Sequence, residues 1–189
     1  MEIKKIYFLS GLSECGKSCA GEIAKFNGIF RLKIIYFEKM IIQNKGMSMN
    51  SESKEKSLNM FYKNTEEAFK EFRDYIYQFM LINKCDAISL ESLYRSELAK
   101  SFIGDERFKT EVIYIEVDLE KRAEREFLKE SKNNPKLTFD DIKKQIEQKD
   151  KFKINNGVLK VKDVSTKIVN NNGTLKQFKE KILKIYNDK

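Results

Sequence analysis

Residues 3–25, IKKIYFLSGLSECGKSCAGEIAK, restrict the fold of this chain more than any other stretch. Within them, Gly11-Leu12-Ser13-Glu14-Cys15-Gly16-Lys17-Ser18 is a full G-x-x-x-x-G-K-[ST] match. The motif needs a strand before it and a helix after it. Residues 3–9 are an apolar run with β-branched and aromatic members, which reads as a buried strand. Cys19, Ala20, Glu22, Ile23, Ala24 and Lys25 are adequate helix formers.

The glycines let the backbone curl until several N–H groups face one anion, and the following helix adds the positive end of its dipole. The pattern therefore predicts a nucleoside triphosphate as ligand. Residues 11–19 are the expected phosphate contacts: Gly11, Ser13, Glu14, Cys15, Gly16, Lys17, Ser18 and Cys19. Lys17 is expected at the β- and γ-phosphates, and the Ser18 hydroxyl at Mg²⁺. Cys15 would sit among inward-facing amides, which favour a thiolate; a bystander role is the simpler reading.

The chain has 189 residues, enough for one α/β domain with an insertion. It contains no histidine, so carboxylates, Lys, Arg and backbone must carry any chemistry. Three cysteines, an odd number with no zinc spacing, argue against a disulfide framework and suggest a reducing, cytoplasmic setting. No stretch reads as a signal peptide or a membrane span. The net charge of +8 is uneven. Residues 1–120 hold 18 basic and 19 acidic side chains, whereas residues 121–189 hold 19 and 10. These lysines are scattered among acids rather than interleaved with aromatics, so nucleic acid is not the expected partner.

Further strands are expected at 29–37, 87–90, 112–117 and 167–169. Helices are expected from Thr65 to about 82, over 92–107, over 119–132, from the Thr138/Asp141 cap to about 152, and after the Thr174/Gln177 capping box. Residues 43–64 read as a polar excursion with one short helix. Strands alternating with helices imply a parallel sheet covered on both faces, with ligands at the carboxyl ends of its strands.

On that rim are expected Glu38, ending the second strand, and Glu91, ending the third. Either suits Mg²⁺ organisation or the activation of an attacking hydroxyl. Arg122 and Arg125 share one helix face and are candidates to close over the γ-phosphate. Arg95, four residues past Glu91, is a candidate for the acceptor, as is Arg73. Residues 83–86, Asn-Lys-Cys-Asp, match the N-K-x-D by which GTPases read guanine, although no D-x-x-G accompanies them.

The stretch VIYIEVDLEKRAERE resembles the strand and lid helix of nucleoside monophosphate kinases. TFDDIKKQIEQKDKF…VSTKIVNNNGTLKQFKEKI resembles the end of dephospho-CoA kinases. The resemblance implies a three-layer α/β/α P-loop kinase fold with a parallel five-stranded sheet, a helical lid and ATP as donor. Residue by residue, it puts Gly11, Gly16, Lys17 and Ser18 on phosphates and Mg²⁺, Arg122 and Arg125 in the lid, and Asn172 and Gly173 beside the adenine. The third strand, Ser89-Leu90-Glu91-Ser92-Leu93-Tyr94-Arg95, has neither the D-G-[FY]-P-R of adenylate kinases nor the D-x-P-L-L-F-E of dephospho-CoA kinases.

The expectation is one P-loop kinase domain over 1–189, with an acceptor-binding insertion around 40–84 and a lid around 120–155. It would transfer phosphate from ATP to a small molecule of nucleoside, nucleotide or dephospho-CoA type. The alternative is a nucleotide-binding switch or slow NTPase acting through a partner protein. Self-association into a homodimer is left open.

Overall fold

The computed structural model describes residues 2–188. A parallel sheet of five strands has the order β2-β3-β1-β4-β5. The strands are β1 (Lys4–Ser10), β2 (Phe30–Lys33), β3 (Ala87–Leu93), β4 (Phe108–Glu116) and β5 (Lys167–Asn170). The central strand β1 alternates between two cores. Ile6 and Phe8 enter one, and Tyr7 and Leu9 the other. That period-2 split follows from a strand buried on both faces.

One face is covered by α1 (Lys17–Phe26) and α8 (Leu175–Asn187). The other carries α2 (Ile34–Asn44), α3 (Lys54–Phe61), α4 (Thr65–Ile82) and α5 (Ser96–Ile103). The short 3-10 helix at Val158–Val164 contributes Val158 and Val161 to the same core. The aromatic stripe of α4 is packing: Phe69, Phe72, Ile76 and Met80 are all buried. Past β4, α6 (Leu119–Glu130) and α7 (Phe139–Asn155) form a separate hairpin around Ala123, Ile142 and Ile146. Both expected capping boxes are present, Thr138 with Asp141 and Thr174 with Gln177.

The expected strand over 29–37 divides in two. Only Phe30–Lys33 pairs with β3, and the chain turns helical at Ile34. The reason is spacing: Ile34, Phe37, Ile41 and Ile42 recur at helical intervals and are buried. An apolar run of this length is compatible with either element until its partner is known. Glu38 therefore lies within α2 and not at a strand end. β3 extends through Glu91 to Leu93, and the helix after it begins only at Ser96. Among the described residues, no helix is long and apolar enough to cross a membrane.

Candidate functional site

The loop after β1 is held in shape by two glycines. Gly11 has φ 130°, and a Cβ there would strike the Ile115 carbonyl. Gly16 has φ 111° and stands before the first turn of α1; a Cβ there would lie 2.7 Å from Asn171 Nδ2. Only glycine meets both demands. Asn171 Nδ2 donates to the Cys15 carbonyl at 2.9 Å, tying the end of β5 to the loop. Lys17 is buried, and its ammonium donates to the carbonyls of Gly11 at 2.9 Å and Leu12 at 2.5 Å, and to Cys15 Sγ at 3.3 Å.

Beside the loop, Ser18 Oγ donates to Glu91 Oε2 at 3.2 Å. Glu91 is 1% exposed, and its Oε1 accepts from Arg31 Nε at 2.5 Å. Arg31 also pairs with Glu22 of α1. Gly21 makes room for this chain, because a Cβ there would meet Glu91 Oε1. A buried carboxylate is retained only with such partners. Ser18 Oγ and Glu91 Oε2 are a hard-oxygen pair of the type Mg²⁺ takes alongside phosphate and water. Among the described residues no cluster of three or more acidic, Cys or His ligands exists, so the protein alone forms no closed metal cage.

The α6–α7 hairpin grips the loop at Ser13. Its N–H donates to Asp150 Oδ1 at 2.7 Å, its carbonyl accepts from Arg122 Nη1 at 2.9 Å, and its hydroxyl accepts from Lys153 Nζ at 2.7 Å. Arg122 Nη1 also donates to Asp150 Oδ2 at 2.6 Å, and both residues are buried. Arg125 Nη2 donates to the carbonyls of Asn171 and Gly173, each at 2.8 Å. The two arginines expected to close over a phosphate are thus bound to main-chain carbonyls, Arg122 also to a carboxylate. Asn172 Oδ1 accepts the Asp118 N–H at 2.9 Å. The half-buried Lys153 has its pKa pushed down to about 8, first by burial and then by the charge of Lys17.

Next to the loop, across β3, lies a cavity of about 190 Å³ lined by Ile35, Glu38, Tyr62, Tyr94, Arg95 and Phe152 among others. Glu38 Oε1 accepts the Tyr62 hydroxyl at 2.6 Å. The Arg95 guanidinium stacks over the Tyr62 ring, 4.2 Å from its centroid. Burial raises the Glu38 pKa above the usual carboxylate range, against the opposing pull of Tyr62 and Arg95. Ser92, at φ 71°, forms a bulge between Glu91 and the cavity-lining residues that follow it.

Two expected features sit elsewhere. Arg73 pairs with Asp105 at 2.9 Å, and Asp105 also holds Arg107, whose carbonyl accepts from the start of β1. That cluster lies at the amino ends of the strands, opposite the loop, so Arg73 is remote from the loop. Asp86 of the N-K-x-D stretch binds Lys4 at the same far edge, so a base lying at the loop is out of its reach. Asn171, Arg31, Asp150 and Lys153 were not picked out from the sequence. A lone arginine in an apolar strand was the available signal for Arg31, and the Asn-Asn-Asn-Gly run for Asn171, though nothing in the run says which asparagine turns inward. Asp150 and Lys153 had none, because a charged helix face does not say which side meets a loop more than 130 residues away.

No protein-family model matches the chain, and no curated protein matches it in sequence. Solved structures do. An uncharacterized protein from Eubacterium ventriosum aligns over 100% of both chains at 11% identity with a TM-score of 0.59. TT1252 from Thermus thermophilus aligns over 98% of this chain and 96% of its own at 15% identity, TM-score 0.58. The dephospho-CoA kinase from Campylobacter jejuni aligns over 96% of this chain and 95% of its own at 19% identity, TM-score 0.49. With the G-x-x-x-x-G-K-S loop joining β1 to α1 at the carboxyl end of the central strand of a parallel β2-β3-β1-β4-β5 sheet, the chain has a three-layer α/β/α phosphate-loop fold.

Proposed function

We propose that the protein is an ATP-dependent phosphotransferase whose acceptor is a small hydroxyl compound of nucleoside, nucleotide or nucleotide-like type. The observation that carries this reading is adjacency. The loop with Lys17, the Ser18–Glu91 pair and the cavity with Glu38 and Arg95 share one end of the sheet, and α7 borders both the loop and the cavity. Donor and acceptor groups are then neighbours, which is most of what phosphoryl transfer asks of a protein.

The two acids divide the work. Glu91, tied to Ser18 and Arg31, would help hold Mg²⁺, which when bound neutralises charge on the triphosphate. Glu38, facing the cavity, would take the proton of the acceptor hydroxyl as its oxygen bonds to the γ-phosphorus and the bond to ADP breaks. Burial raises its pKa, which makes it a better proton acceptor than an exposed carboxylate. Lys17 would leave the Gly11 and Leu12 carbonyls for the phosphates. Arg95 would orient an anionic or polar part of the acceptor. In this reading α2–α4 form the acceptor side and the α6–α7 hairpin the lid.

The test is ADP release from ATP and Mg²⁺ with nucleosides, nucleoside monophosphates, dephospho-CoA and a 5′-hydroxyl oligonucleotide as acceptors, with Lys17→Ala as control. Strong stimulation by one acceptor, lost in the control, is the expected result. Slow, acceptor-independent turnover throughout would favour a switch that works through a partner.

A further inference from the structure

We propose that Lys153 is the residue by which the protein distinguishes a nucleoside triphosphate from a diphosphate, its ammonium contacting the terminal phosphate. The inference rests on the reading above that the loop takes a triphosphate. It arises from the count of charges around Ser13. Arg122 and Lys153 meet at Ser13, Lys17 stands on the neighbouring Gly11 and Leu12 carbonyls, and Asp150 is the one buried carboxylate among them. Asp150 is already shared between Arg122 and the Ser13 N–H. Glu14, exposed on the loop, is answered by Lys149 at 3.8 Å. The cluster keeps an excess of positive charge in a partly desolvated place, and an anion resolves it.

Of the cations on the α6–α7 hairpin that reach the loop, Lys149 faces the Glu14 carboxylate, and Lys153 is the one left to move without breaking an ion pair. Arg122 and Arg125 are fixed by main-chain carbonyls. Lys153 holds only the Ser13 hydroxyl and, among the described residues, no carboxylate within ion-pair distance. A hydroxyl is a weak partner for an ammonium and gives way to a phosphate oxygen. The groups facing Lys153 are Lys17, Cys15 and Glu14 from the loop and Asp150 on its own helix. The nearby like charge of Lys17 and the burial that lower its pKa both make an incoming anion more favourable.

The experiment is titration calorimetry of ATP and ADP, each with Mg²⁺, into wild type, Lys153→Met and Lys153→Arg. It is run at pH 8.5 in two buffers of different ionisation heat. Wild type is expected to prefer ATP and to take up protons on binding it, because the phosphate restores the charged form of Lys153. Lys153→Met is expected to lose on the order of tenfold of the ATP preference and all of the extra proton uptake, with ADP affinity unchanged. Lys153→Arg is expected to keep the preference without the proton uptake. An unaltered ATP-to-ADP ratio in a Lys153→Met protein of wild-type melting temperature overturns the assignment while leaving the triphosphate reading intact. A wild type that binds neither nucleotide overturns both.

Discussion

Asp150 of α7 accepts the backbone N–H of Ser13 at 2.7 Å, across 137 residues of sequence, and its second oxygen holds the Arg122 guanidinium. A carboxylate buried against a phosphate loop is unfavourable on its own, and here the guanidinium and the amide compensate it. The pair fastens the α6–α7 hairpin to the loop.

Asp150→Ala strands the buried Arg122 charge. Breaking such a pair costs about 3–5 kcal/mol. Urea unfolding should show the loss as a lower midpoint. Asp150→Asn should recover part of it, since its carbonyl can still accept the Ser13 N–H.

Gly21→Ala sets two effects against each other. Alanine favours an exposed helix interior by about 1 kcal/mol over glycine. Here, however, the new Cβ falls on Glu91 Oε1 and 2.6 Å from Arg31 Nε. We expect phosphoryl transfer to fall roughly 10²-fold, from displacement of the carboxylate beside Ser18. Steady-state kinetics over a Mg²⁺ series would check this, the loss being partly offset at high Mg²⁺.

Tyr62→Phe removes the hydrogen bond that holds the Glu38 pKa down against burial. The Glu38 pKa should therefore rise further. If Glu38 is the base, the acidic limb of the pH profile of kcat/KM moves to higher pH in the variant. An acidic limb that stays in place would assign the proton transfer to another group.

Under the proposed function, the far-edge cluster should affect acid stability and not transfer. Hydrogen bonds from Arg107, reinforced by Arg73, pull the Asp105 pKa from 3.8 down to about 2. A depressed carboxylate contributes stability above its unfolded value and loses it as pH falls through the folded one. That is about 2 kcal/mol, present above pH 4 and lost toward pH 2. Asp105→Asn should flatten this part of the pH–stability curve, and Arg73→Met should leave turnover unchanged.

What could be read from the sequence was whatever is encoded locally. The phosphate loop, the α4 stripe and the boxes at Thr138 and Thr174 each rest on residues within a few positions of one another. The β2–α2 boundary failed because residues 29–37 are apolar in a way that suits strand or helix, and only docking of Ile34, Phe37, Ile41 and Ile42 on the core around Ile6 and Phe8 decides it. Glu38 was displaced with that boundary and nevertheless faces the cavity next to the loop. Arg122 and Arg125 were expected to close over the γ-phosphate; their partners here, Asp150 and the Ser13, Asn171 and Gly173 carbonyls, belong to segments whose approach no spacing rule foretells. Arg73 was named after Arg95 as a weaker acceptor candidate, because composition carries no sense of which end of a sheet a helix residue reaches.

Phe152 and Lys153 are consecutive residues of α7, one lining the cavity and the other on Ser13. A ligand on either side therefore acts on the same turn of helix. Whatever factor the first ligand contributes to the affinity of the second, the second must return to the first, since coupling free energy has no direction. Under the proposed function, donor and acceptor would therefore change each other's affinity by one and the same factor, whichever of them binds first.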